Sequence, residues 1–312
     1  MYLNLVQSTE VSENTESYNT CQHDPSLLPP ALRSLIPTNP PNIRTIFFGP
    51  WTALIFQSRK IDPADIPIVT LTPHYAKTLR DASTVATLTL RLSESNKEDL
   101  LDPSPFDHLF QSGAPQRYFA RYDLASPKDS PCQPLLTSAQ AVVDQLATSH
   151  RSNHAITDAL NDGLPICVYF TPWDDAMDTR REYRVFCPPT SVYHPHPSRV
   201  TAVSQYSWHT RSILANLPRA QLDEEVAHLL QGVERVHAEI MVHSLENGMH
   251  AGLNKEGFVF DVYVYEDTRE VRLLELNPFG VTSSCGSCLF NWVTDAETLY
   301  GGKDEIEVRL AV

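Results

Sequence analysis

The clearest pattern in the chain is an apolar stripe in which Leu222, Val226, Leu229, Val233, Val236 and Ile240 recur at alternating steps of four and three. That is the helical period. It predicts a helix from about Pro218, a favourable first-turn residue, to Gly248, docked by one face against a sheet. The histidines inside it (His228, His237 and His243) read as surface or satisfied residues and not as ligands. The period then changes to two. Residues 258–265 and 271–280 are rich in β-branched and aromatic residues and flank the charged stretch 266–270, which predicts a β-hairpin. With a turn at Asp267-Thr268-Arg269 and Glu266 facing Glu270, Asp261 stands opposite Glu275. On that register Glu275 and Asn277 share a face with Val271 and Leu273.

Elsewhere the pattern is shorter-ranged. Residues 166–170 are a continuous apolar run and predict a buried strand, and 182–187 and 200–206 predict two more around the proline- and histidine-rich loop 188–199. Residues 137–148 and 153–161 read as short helices, the second stopped by Gly163. Residues 43–48 and 52–56 are β-type runs around Gly49-Pro50 and predict strand–turn–strand. Residues 1–30, polar and punctuated by proline, predict a loosely ordered arm. Residues 93–116 read as a long surface connection and a lobe boundary. The expected division is an arm at 1–30, an N-terminal lobe with its connection at 31–116, and a core at 117–312.

Composition narrows the function. A hydrophobic fraction of 42% over 312 residues can bury a sizeable core. Lys+Arg 24 against Asp+Glu 38 leaves a net charge of -14, which argues against nucleic-acid or anionic-membrane binding. With 11 glycines the chain holds no P-loop and no dinucleotide fingerprint, so a phosphate site must rest on side-chain cations. The start has no basic, apolar leader, and no stretch approaches the ~20 apolar residues of a membrane span. Six dispersed cysteines then read as reduced thiols, and the expected location is cytoplasmic. The lone pair Cys285 and Cys288 reads as a packed loop, and His194 and His196 sit in a loop with no third ligand.

The candidate chemistry lies on the hairpin. Two carboxylates facing across an antiparallel pair repel; buried, they need a shared proton or a cation. Asn277 adds a neutral oxygen, and an all-oxygen set suits Mg²⁺. The alternative is a pair of ordinary polar positions on a wet sheet face.

Asp on one strand with Glu-x-Asn on the next is similar to the Mg²⁺-holding end of the ATP-grasp fold. From Phe106 to Trp292 the chain resembles the eukaryotic cell division cycle protein 123 family. The resemblance rests on Phe119-Ala120-Arg121, Ser126-Pro127-Lys128-Asp129 and residues 168–173 and 182–186, then Val203-Ser204-Gln205-Tyr206, residues 258–263 and 274–280, and Leu289-Phe290-Asn291-Trp292. Arg121 stands where the family usually has Lys, Thr171 where it has a basic residue, and Glu275 where it has Asp. The resemblance implies an α+β, ATP-grasp-like fold in which two lobes with mixed and antiparallel sheets clasp a nucleotide. It implies ATP and Mg²⁺ as cofactors, with the metal on Asp261, Glu275 and Asn277. Arg121 and Lys128 would contact the α- and β-phosphates. Tyr169, Phe170 and Thr171 would border the adenine, and Arg184 would steady the γ-phosphoryl group or a substrate carboxylate.

Two activities follow. One is a carboxylate–amine ligase working through an acyl phosphate on a small carboxylate and an amine, in keeping with a chain that shows no Ser/His/Asp or Cys/His constellation. The other is an ATP-binding assembly chaperone for the gamma subunit of translation initiation factor 2. Glu275 and the unmatched first hundred residues favour the ligase.

Overall fold

The computed structural model describes residues 1–34, 36, 43–111, 116–190 and 198–312. Residues 112–115 of the expected surface connection and the loop histidines His194 and His196 lie outside the described residues. The strands are β1 (Tyr2–Val6), β2 (Ile68–Leu71), β3 (Tyr118–Tyr122), β4 (Ile166–Pro172), β5 (Glu182–Cys187), β6 (Ala202–Gln205), β7 (Phe258–Val264), β8 (Val271–Pro278) and β9 (Glu307–Ala311). The architecture is α+β with one mixed and one antiparallel sheet, as expected. The chain divides into two compact units, residues 1–60 with 176–312 and residues 61–175, and not at residue 117.

The discontinuous unit is built on a six-stranded sheet in the order β1-β9-β6-β5-β7-β8. β1 and β9 run parallel, as do β6 and β9, while β5, β6, β7 and β8 pair antiparallel. The long helix Arg219–Glu246 buries the predicted stripe from Leu222 to Ile240. It crosses β8 so closely that a Cβ on Gly232 would lie 2.2 Å from Val271 Cγ2. Its histidines are satisfied. His228 Nε2 lies 2.8 Å from the Arg269 carbonyl and His243 Nε2 3.0 Å from that of Pro50. His237 stacks on Phe258, and burial pushes its pKa down to about 4.

Two expectations fail in this unit. Residues 48–59 form a helix (Phe48–Arg59) instead of strand–turn–strand. Trp51, Leu54 and Ile55 are spaced for a helix face and are buried, and Pro50 is tolerated because it falls in the first turn, where its missing N–H is no loss. The expected loose arm is also ordered: β1 closes the edge of the sheet against β9, and Val6 and Val11 join Leu289 and Ala311 in a small core. Polar composition did not prevent this because a strand needs only a partner's backbone and an alternate apolar face.

The continuous unit holds the antiparallel sheet β2-β4-β3 under helices Pro73–Thr89, Ala139–Thr148 and His150–Asn161. Its core runs from Val69 to Phe170. The expected surface connection at 93–116 contains the helix Glu94–Leu101, capped by Ser93, and buries Leu100 and Phe106 completely.

Candidate functional site

The hairpin β7–β8 places Asp261 opposite Glu275, as the sequence predicts, but by another route. Next to the turn, Val264 pairs with Val271 and the Tyr265 N–H donates to the Glu270 carbonyl, a register one residue tighter than expected. Continued, that register would set Asp261 against Leu274. A β-bulge between Val262 and Asp261 leaves Leu274 unpaired and restores Asp261 to Glu275. The bulge also shifts the alternation of faces. Val271, Leu273 and Leu276 are buried, whereas Glu275 and Asn277 are partly exposed and do not share the face of Val271 and Leu273.

Asp261 is 1% exposed. Arg184, directly across on β5, grips it with two bonds, Nε to Oδ1 at 2.8 Å and Nη2 to Oδ2 at 2.7 Å. Asn277 Nδ2 donates to Oδ2 at 3.1 Å, and the remaining Arg184 nitrogen, Nη1, donates to the Gly286 carbonyl at 2.6 Å. The guanidinium also lies over the Tyr206 ring. Burial alone would push the Arg184 pKa down; the Asp261 carboxylate overrides it and holds the group well above its ordinary value. The resemblance implied that Arg184 would steady a γ-phosphoryl group or a substrate carboxylate; in the structure its fork is closed on Asp261.

The site is therefore one carboxylate with a fixed guanidinium on one side, and a partly exposed carboxylate and amide on the other. All the donors are oxygens, the set a hard cation takes, so Mg²⁺ fits by chemistry, with Arg184 holding Asp261 in place from the other side. Among the described residues no three His, Cys, Asp or Glu side chains gather as a metal group, since the third donor is an amide. Cys285 and Cys288, 6% and 1% exposed, pack beside Arg184, and burial raises the Cys285 thiol to about 12. Burial thus favours the neutral thiol, and the nucleophilic form is the thiolate.

The other predicted residues lie in the continuous unit. Arg121 on β3 pairs with Tyr169 on β4; it is 7% exposed, and its Nε donates to the Tyr122 carbonyl. The Tyr169 hydroxyl donates to Asp123 at 3.0 Å, and burial raises its pKa. Thr171 Oγ1 donates to the Phe119 carbonyl. Phe170 is core: its ring is fully buried against Phe106 and Tyr118, and its N–H is taken by Pro67. That leaves it no ring face for a nucleotide base. Lys128 is exposed on a tight turn. Its neighbour Asp129 accepts from Ser149 Oγ at 2.5 Å and from the Arg151 N–H at 3.2 Å, which fixes the turn to the start of helix His150–Asn161. Sequence reasoning missed the Gly286 carbonyl, and no side-chain pattern could have announced a backbone oxygen.

No curated protein matches the chain. The D123 family matches it over residues 133–311. Among solved structures, Cdc123 from Schizosaccharomyces pombe is similar at 18% identity and a TM-score of 0.56, over 86% of this chain and 96% of that one. A C-terminally truncated form of the same protein gives 0.55 at the same identity and coverage. D-alanine–D-alanine ligase from Helicobacter pylori is similar at 13% identity and a TM-score of 0.33, over 71% of this chain and 57% of that one. The structural likeness to Cdc123 shows the fold. The family match extends over more than half of the chain, and the chain belongs to the D123 family. No described helix is long and apolar enough to cross a membrane.

Proposed function

We propose that this D123-family chain binds ATP with Mg²⁺ at the open end of the β7–β8 hairpin and uses it to join a carboxylate to an amine. The observation that carries the reading is Asp261 set against Glu275, with Asn277 bonded to the same aspartate. Glu275, Asn277 and an Asp261 oxygen would hold the ion, which when bound neutralises and orients polyphosphate oxygens. Arg184 keeps Asp261 ionised and in one orientation, because a protonated acid there would leave a buried guanidinium without a counter-charge. Arg121 and Lys128 are, by resemblance, the candidates for the α- and β-phosphates.

In the reaction the substrate carboxylate attacks the γ-phosphorus, ADP leaves, and an acyl phosphate remains. The amine then displaces inorganic phosphate as the amide forms. The protein's share is positioning and charge stabilisation, which a site without a nucleophile can supply. The test is ATP binding by calorimetry with and without Mg²⁺. Binding should need Mg²⁺ and be lost in Asp261→Ala and in Glu275→Gln; unchanged affinity in both variants refutes the site.

The second reading is an assembly chaperone for the gamma subunit of translation initiation factor 2, carried by the sequence resemblance. A stoichiometric complex with that subunit in a pull-down would select it over the ligase. ADP release dependent on an added carboxylate and amine would select the ligase.

A further inference from the structure

Residues 19–23 form a strap along the loop that roofs Arg184. The Asn19 N–H donates to the Cys288 carbonyl at 2.7 Å, and the Cys288 N–H returns to Asn19 Oδ1 at 3.1 Å. The Ser287 N–H donates to the Thr20 carbonyl, the Trp292 N–H to Thr20 Oγ1, the Gln22 N–H to Ser283 and the His23 N–H to Val281. Gly286 sits at the closest point, where an added Cβ would lie 2.1 Å from Asn19 Oδ1. On the inner side the same glycine offers its carbonyl to Arg184 Nη1 at 2.6 Å. Asn19 itself stands at φ +48, a conformation that Asn adopts more readily than most residues.

We infer that Asn19 is a positioning residue for the proposed metal–nucleotide site, acting through the Gly286 carbonyl and Arg184 on Asp261. The inference rests on the reading of that site given above. The contacts form one unbroken series. Asn19 fixes residues 286–288, Gly286 takes the last free edge of the guanidinium, and the other two nitrogens hold both oxygens of Asp261. A guanidinium held on three sides has one orientation; released on one side it can rotate and take the carboxylate with it.

Asn19→Gly removes the side chain and keeps the backbone angle accessible. ATP binding measured across a Mg²⁺ series should then need up to about tenfold more Mg²⁺, the low end of the effect of losing a ligand's direct partner, because Asn19 acts through Gly286 and Arg184. Asn19→Asp, which keeps an oxygen for the Cys288 N–H, should stay near wild type. A purely structural Asn19 would lower the melting temperature and leave the Mg²⁺ requirement unchanged, and that result overturns the inference. A second arm tests the contact without any ligand. Gly286→Ala should lower the melting temperature strongly in the wild-type background and far less in Asn19→Gly, where the obstructing atoms are gone. Equal losses in both backgrounds overturn the strap. If Asp261→Ala retains Mg²⁺-dependent binding, the site reading fails and the positioning role with it, whereas the Gly286–Asn19 result stands by itself.

Discussion

Replacing Asp261 with alanine should destabilise the protein as well as abolish nucleotide binding, and the two effects can be separated. The side chains of Arg184 and Asp261 are 8% and 2% exposed, joined by bonds of 2.8 and 2.7 Å. Removing the carboxylate leaves a guanidinium buried without a counter-charge, a loss of about 3–5 kcal/mol. Asn277 Nδ2 also loses its acceptor, adding on the order of 1 kcal/mol. The whole stability of a domain is about 5–15 kcal/mol, so a large part of it is at stake. Removing both charges together, in Arg184→Met with Asp261→Leu, should recover most of the loss, because nothing buried is then left unpaired. The assay is urea unfolding followed by tryptophan fluorescence, which Trp51 and Trp292, both fully buried in this unit, will report. A single variant as stable as wild type, or a double variant no more stable than the single, refutes the account. Glu275→Gln leaves the Arg184–Asp261 pair intact, so it should lose Mg²⁺-dependent binding with a smaller loss of stability than Asp261→Ala.

Two further outcomes follow from the packing. Gly232→Ala should destabilise by about 1–3 kcal/mol through overpacking on Val271, although alanine is the better helix former; urea unfolding checks it, and Val271→Ala in the same chain should relieve it. Burial alone would raise the Glu307 pKa, but Arg309, Lys303 and Asn4 override it and hold the group at about 2, against an ordinary 4.5. Its folded-state pKa is depressed, so its contribution is complete above pH 4.5 and is lost as the pH falls from there through about 2. The contribution is on the order of 3 kcal/mol, and Glu307→Gln should flatten this part of a stability–pH curve.

What the sequence revealed and concealed follows from the range of each signal. The long helix and the hairpin were legible because their periods repeat within a single segment, at Leu222 to Ile240 and on either side of residues 266–270. Helix Phe48–Arg59 was misread because aromatic residues around Gly49-Pro50 carry β-propensity, although Trp51, Leu54 and Ile55 already had helical spacing. The Asp261–Glu275 pairing was reached through a turn one residue too loose and a bulge at Leu274 that was not foreseen; the two errors cancelled in register but not in face. Arg184 and Asp261 were each singled out, yet their ion pair was not. It depends on β5 lying beside β7, and no periodicity within either strand encodes that neighbour. The N-terminal strand was missed for the same reason, since its partner lies at Glu307–Ala311.

The pairing of β1 with β9 also orders events during synthesis. β9 sits between β1 and β6, so the six-stranded sheet cannot be completed while residues 307–311 are still inside the ribosome. Residues 61–175 form an uninterrupted unit with a core of its own, and the whole of that unit emerges earlier. The nascent protein therefore carries one finished body while Asp261 and its roof still await the strand that closes their sheet.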